Sequence, residues 1–320
     1  MSFSKLFVLL FVFLHCTSHL WAQKSFPRDT SFTVKGTFEK EKKKFPHIEI
    51  ALADTNNLKI KQDIVYKNIA QRELTVDVFQ PLAEGKNIGI LLIHGGGWKT
   101  GDKTHMHELA KALAKKGYTC FAVEYRLSLE AKYPAAVEDL QDAIRWMKKN
   151  AAQYAIHPNT IICLGTSSGG QLASLIGVLN KSLATKANKS TLSPSVKAVI
   201  NIDGLLSFSH PDAQEGTMAA EWLGGDSIGA AQNWKQASAL THLSKNSAPM
   251  LFITSGFKRF SAGKYDLMQY YKKWGISYDE LHFEHSPHTF WYFHPWFIPT
   301  VNKIDEFISG LYKCPTKLFK

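Results

Sequence analysis

The run Ile88-Gly89-Ile90-Leu91-Leu92-Ile93 carries no polar residue. A strand with one wet face alternates apolar and polar side chains. An unbroken apolar run of strand length therefore belongs to a strand covered on both faces. Such strands lie inside sheets flanked by helices, and this narrows the fold class more than any other stretch. Further largely apolar stretches of strand length lie at 118–125, 160–164, 196–203 and 249–254. Helical spacing separates them: Leu109 and Leu113 within 107–116, then Val137, Leu140, Ala143, Ile144 and Met147 along one side of 136–151. A helix over 263–274, a strand over 278–283 and a final helix over 298–312 continue the pattern. Strand and helix alternate from residue 88 onward, which predicts an α/β fold with a mostly parallel central sheet flanked by helices. Ahead of it, 64–80 alternates in the β manner and reads as two antiparallel opening strands.

The chain of 320 residues is long enough for one large α/β domain. Its formal charge of +11 has no Lys/Arg block interleaved with aromatics, so it reads as a solvated lysine-rich surface and nucleic acid is not expected as a partner. Lys5, the apolar run Leu6 to Leu14 and Ala22 have the layout of a signal peptide over 1–22, which implies a secreted or periplasmic protein. Nine apolar residues are too few to span a bilayer. His15 is the wrong residue before Cys16 for a lipid anchor, and no membrane span is expected later. Residues 23–60, rich in lysine, read as an exposed arm. Residues 61–320 read as one domain, with the Gly/Ser/Ala/Asn-rich 205–247 as an insertion near the site. Cleavage leaves Cys120, Cys163 and Cys314, an odd number and no disulfide framework.

Gly165-Thr166-Ser167-Ser168-Gly169 spells G-x-S-x-G between a strand-like run and a helix-like one. A serine exposed at a sharp strand-to-helix turn needs that setting, with glycines keeping side chains out of the crowded turn. Ser167 is the candidate nucleophile. His94-Gly95-Gly96-Gly97-Trp98 ends the buried run 88–93. Three glycines there let main-chain N–H groups turn into a cleft, so Gly96 and Gly97, with the N–H of Ser168, are candidate donors to an oxyanion. His94 reads as a residue holding that loop. A phosphate loop is disfavoured, because no Lys-Ser/Thr follows in the required spacing and no G-x-G-x-x-G is present. His105-Met106-His107 is too short and isolated for a metal site and there is no H-E-x-x-H, so no metal or cofactor is expected.

These motifs occur in order with Glu124-Tyr125-Arg126-Leu127-Ser128 and Tyr133-Pro134-Ala135-Ala136-Val137-Glu138-Asp139 between them. The set resembles the α/β-hydrolase superfamily, in the branch of hormone-sensitive-lipase-like and feruloyl or acetyl-xylan esterase-like enzymes, over residues 64 to 312. Two elbow positions depart from the family habit: Thr166 stands where an acidic residue is common, and Ser168 where alanine is. Asp139 and Asp142 read as structural partners of Arg126 and Arg145.

The resemblance implies the chain order serine, acid, histidine. It picks His288 as the base, just before the final helix, with His285 as runner-up and His294 as a pocket or surface residue. The usual place for the acid, after 249–254, holds Ser255-Gly256-Phe257-Lys258-Arg259-Phe260 instead. Asp203 is then the choice, with Asp266 second. The aromatics from Phe290 to Phe297 are divided between a wall of the site and packing of the last helix. The resemblance implies a serine esterase of small acyl esters, acetyl foremost, with an acylated plant cell-wall polysaccharide as the larger substrate. A lipase or peptidase on the same fold, and a carbohydrate-binding relative without the acid, are the alternatives.

Overall fold

In the computed structural model, which describes residues 26–179 and 191–313, the apolar runs form the middle of a sheet. In chain order the elements begin with α1 (Val34–Glu41), β1 (Glu49–Ile50), β2 (Leu58–Ile69) and β3 (Arg72–Pro81). Then come β4 (Gly89–Ile93), α2 (His107–Lys115), β5 (Thr119–Val123), α3 (Ala135–Lys149), β6 (Ile161–Thr166), α4 (Ser168–Leu179) and β7 (Ala198–Ile202). The chain continues through α5 (Thr217–Leu223), α6 (Ala231–Ala237), β8 (Met250–Ser255), α7 (Lys264–Trp274), β9 (Tyr278–Phe283), β10 (Phe293–His294) and α8 (Phe297–Lys313).

The main sheet has the order β2-β3-β5-β4-β6-β7-β8-β9. β3 runs antiparallel to β2 and β5, and every pairing from β5 across to β9 is parallel. All residues of β4, β5, β6 and β7 are buried, as their largely apolar sequences lead one to expect, with Thr119, Thr166 and Asn201 buried among them. One face is covered by α3 and α4, through Val137, Leu140, Ile144, Leu172 and Ile176. The other is covered by α2 and α8, through Leu109, Leu113, Val301, Ile304 and Ile308. The Arg126 guanidinium grips the buried Asp139 carboxylate with two hydrogen bonds of 2.8 Å, and Arg145 donates to Asp142 at 2.7 Å.

Register places the site. Ile93 lies opposite both Val123 and Gly165, and Thr166 lies opposite Ile202. The carboxyl ends of β4, β6 and β7 therefore end at one edge of the sheet, and the loops that follow them emerge together. The chain steps from β4 to β5 on one side and then returns to β6 on the other. Open α/β sheets bind ligands at such a switch point, outside the carboxyl ends of the strands.

The exposed arm expected over 23–60 is only partly such. Its lysines point outward, but from residue 26 the segment is fastened to the domain. Arg28 pairs with Glu124, and Asp29 bridges to Thr100. β1 pairs with β10, and Ile48 and Ala51 are buried. Phe38 packs on Phe293 and Phe45 on Trp296. The aromatics inside this lysine-rich stretch are what fold it back. The expected signal peptide at 1–22 and Cys314 lie outside the described residues. Among the described residues no helix is long and apolar enough to cross a membrane. Cys120 and Cys163 are free and fully buried, and burial pushes both thiols up, away from the nucleophilic thiolate.

Candidate active site

β6 ends at Thr166 and α4 starts at Ser168, so Ser167 alone makes the turn. Its φ of 52° is left-handed, a conformation that costs a residue with a Cβ about 1–2 kcal/mol. The Ser167 N–H donates to the Ile202 carbonyl at 2.8 Å, which fastens the turn to β7. Behind it the backbone is so tight that a Cβ at Gly165 would sit 2.0 Å from the Gly169 carbonyl oxygen. Glycine is thus required at 165, and the turn presents the serine hydroxyl at the sheet edge.

The loop between β9 and β10 brings His288 to that hydroxyl. His288 Nε2 lies 2.9 Å from Ser167 Oγ, and Nδ1 lies 2.9 Å from Asp203 Oδ2. A carboxylate only accepts, so Nδ1 carries the proton and the bare Nε2 accepts from the serine hydroxyl. The imidazole is held on two further sides. Phe260 stacks on it with ring centroids 3.4 Å apart, and Trp291 meets it edge-on at 5.3 Å.

Asp203 follows β7 at φ 49°, a conformation that aspartate tolerates better than most residues, and it is fully buried. Three donors reach its carboxylate: His288 Nδ1, the Ser255 N–H at 2.8 Å and the Ser255 hydroxyl. A buried carboxylate is tolerated when its oxygens are satisfied in this way. Ser255, the last residue of β8, opens the stretch where the resemblance places the acid, and it anchors instead the acid that follows the neighbouring β7. Asp266, the second choice, sits half-exposed on α7 and faces His210 at 3.5 Å, while the imidazole of His288 is bonded to Asp203. His285 is exposed, and His294 packs against Phe297.

The loop after β4 closes the other side. Gly96 takes φ 118°, and a Cβ there would lie 2.1 Å from the Thr100 carbonyl oxygen, so only glycine fits. Gly96 and Gly97 line one cavity with Ser167 and Ser168. Ser168 is the first residue of α4, where the N–H has no intrahelical acceptor. Trp98 fixes the end of the loop. Its indole N–H donates to Gln171 at 2.9 Å, and its ring stacks on Trp222 of the 205–247 insertion at 5.1 Å.

His94, fully buried, stacks on Tyr125 at 4.5 Å and places Nδ1 2.8 Å from the Gly95 carbonyl. Burial lowers its pKa from 6.5 to about 4; nearby, His105 and Arg28 also disfavour the charged ring, while the Gly95 carbonyl and Asp102 favour it. Above pH 6.5 the ring is neutral in both folded and unfolded chains. Below that the unfolded chain takes up the proton and the folded one resists it until about pH 4. His94 should therefore cost the protein stability, up to about 3 kcal/mol, as pH falls through this window. Urea midpoints measured at pH 7 and pH 4.5 should fall more in the wild type than in His94→Asn, and equal falls would remove His94 as the source.

The cavity measures about 500 Å³, within the range of small-molecule sites. Phe32 of the N-terminal segment, Met218 of α5, Phe260 and Trp291 form its apolar wall, with Glu215 and Arg259 also lining it. The late aromatics Phe290, Trp291, Phe293 and Phe297 are all buried in the core, and of these Trp291 also lines the cavity. Ser255, Phe260, Gln171 and Trp222 gave no motif in the sequence, because each acts through a partner distant in the chain.

A family model named BD-FAE matches residues 76–258. An arylesterase of Saccharolobus solfataricus is 30% identical over 149 residues, covering 46% of this chain and 45% of that protein. The probable carboxylic ester hydrolase LipM of Mycobacterium tuberculosis is 28% identical over 170 residues, covering 51% of this chain and 39% of its own length. The chain thus matches less than half the length of these curated relatives. Among solved structures, a truncated carbohydrate esterase from gut microbiota superposes with a TM-score of 0.69 at 21% identity, over 82% of this chain and 99% of that one. Esterase 2 of Thermogutta terrifontis gives 0.66 at 23% identity, over 84% and 97%. With the matched model covering more than half of the sequence, the parallel sheet and the strand–serine–helix turn place this chain in the BD-FAE family, on the α/β-hydrolase fold.

Proposed function

We propose that the protein is a secreted serine esterase that removes small acyl groups, acetyl foremost, from esters of sugars such as those of plant cell walls. The observation that carries the reading is the hydrogen-bonded line Ser167–His288–Asp203 opening into a cavity lined by Gly96, Gly97 and Ser168. In this reading Ser167 Oγ attacks the ester carbonyl carbon while His288 Nε2 takes the hydroxyl proton. Asp203 steadies the imidazolium and fixes its tautomer. The N–H groups of Gly96, Gly97 and Ser168 receive the oxyanion, each worth about 100- to 1000-fold in rate. His288 then gives its proton to the departing alkoxide, which leaves as the alcohol. Water, losing a proton to His288, attacks the acyl-serine and releases the acid, and the proton returns to Ser167.

Ester hydrolysis is what the names of the relatives share: arylesterase, carboxylic ester hydrolase, carbohydrate esterase. The acetyl preference and the plant substrate rest on the family resemblance, and export rests on the signal-like N-terminus. The alternative of a carbohydrate-binding relative without an acid drew on the basic residues after β8, and the Asp203–His288 bond at 2.9 Å supports the catalytic reading over it.

p-Nitrophenyl acetate should give a burst of p-nitrophenol equal to the enzyme concentration or a steady turnover. The acetate should be cleaved with a kcat/KM about tenfold above that of the butyrate, the size of effect that one or two methylenes have in a pocket. No turnover of either ester would end the esterase reading, and a faster butyrate would end the acetyl preference alone.

A further inference from the structure

The cavity holds an ion pair that the serine chemistry does not use. Glu215, in the stretch leading into α5, and Arg259, in the loop after β8, meet across the cavity wall with Arg259 Nη2 3.1 Å from Glu215 Oε1. The Glu215 side chain is only 7% exposed, the Arg259 side chain 43%. The Arg259 guanidinium also lies over the Phe260 ring, 4.9 Å from its centroid, and that ring in turn stacks on His288. Among the described residues the second carboxylate oxygen of Glu215 makes no hydrogen bond, and a single guanidinium N–H leaves the rest of the fork unspent. Burial pushes the Glu215 carboxyl up, and Arg259 and His288 pull it back.

A structural ion pair has no need to face the reacting serine, and desolvating a carboxylate for structure alone is costly. Two adjacent hydroxyls fit what is left over. Each hydroxyl both donates and accepts, so one can donate to Glu215 while the other accepts from Arg259. The pair is neutral as a unit. An acidic group brought to Arg259 would meet the Glu215 charge at the same place, so the +11 of the whole chain does not translate into an acid site here. Phe260 and Trp291 add apolar lining to the cavity beside the pair.

We infer that Glu215 and Arg259 form the subsite for the alcohol side of the ester, and that it takes a neutral sugar through a vicinal diol. This rests on the esterase reading and names the substrate class for that site. The pair selects for the leaving alcohol, so it changes preference between esters of the same acid.

The test compares methyl 2-O-acetyl-xylopyranoside, which keeps two neighbouring free hydroxyls, with cyclohexyl acetate, which has a ring of similar size and none. Glu215→Gln and Arg259→Met should each lower kcat/KM for the xyloside by about 10- to 100-fold, the worth of a hydrogen bond to a charged group. For cyclohexyl acetate the same variants should lose about threefold or less, so the ratio of the two esters collapses. A third ester, the acetylated methyl uronoside, should be a poorer substrate of the wild type than the xyloside. Equal losses on xyloside and cyclohexyl ester would show the pair acting on the fold or on His288, and would overturn the subsite. No loss on either, or a wild type that prefers the uronoside, would overturn it as well. In all these outcomes p-nitrophenyl acetate turnover by the wild type keeps the esterase reading standing. If no ester is turned over, that reading falls and the subsite with it.

Discussion

Ser167→Ala should lower kcat for p-nitrophenyl acetate by about 10,000- to 1,000,000-fold, the loss found when the nucleophile of a comparable set is removed. The geometry explains why no neighbour can substitute. Ser168 is buried at the start of α4 and Ser255 is committed to Asp203, so Ser167 is the hydroxyl within 2.9 Å of His288 Nε2. The fold should not notice the change. Ser167 is held by its own N–H to Ile202 and by the strand and helix on either side, and alanine meets the same left-handed φ of 52° at the same cost. Ser167→Gly would relieve that cost, about 1 kcal/mol, but it adds a similar entropy loss on folding. Both variants should then melt within a few degrees of the wild type while being inactive. Activity that survives in Ser167→Ala, with a wild-type melting curve, would place the nucleophile elsewhere.

The elbow was legible because every requirement for it is local. The apolar run, the glycines at 165 and 169 and the helix after them are contiguous, and their reading needs no contact between distant residues. The same holds for β4, whose five buried residues are apolar in sequence as in space. The acid was harder. Asp203 and His288 lie 85 residues apart, and their meeting depends on β7 and β9 flanking β8 in one sheet. A sequence shows aspartates at strand ends and helix starts alike, so it ranks Asp203 only narrowly ahead of Asp266, whereas the topology puts Asp203 behind the imidazole and Asp266 on the outer side of α7. Ser255 was invisible for a related reason. A search for a carboxylate passes over the serine that holds one. The N-terminal segment misled through its average: eight of the residues in 35–44 are polar or charged, but Phe32, Phe38 and Phe45 decide where the segment lies.

Asp203→Asn should cost about 10,000-fold in kcat with little change in KM, as the corresponding change does in other serine hydrolases, because the tautomer of the histidine is lost. The carboxylate accepts three hydrogen bonds, two from Ser255 and one from His288 Nδ1. An amide has one acceptor oxygen and two donor hydrogens. If its oxygen stays with the Ser255 N–H, its NH2 group faces His288, and the ring must turn its proton to Nε2 to accept. A protonated Nε2 can no longer take the proton of Ser167. The backbone should tolerate the change, since asparagine adopts the φ of 49° as readily as aspartate. Two further variants make the assignment sharp. Ser255→Ala removes one of the three donors and leaves the N–H, so it should cost about tenfold, the net worth of one such hydrogen bond. Asp266→Asn should leave kcat within about twofold, since its half-exposed side chain faces His210. A loss in Asp266→Asn as large as that in Asp203→Asn would reverse the assignment, and small equal losses in both would leave a Ser167–His288 dyad as the working site.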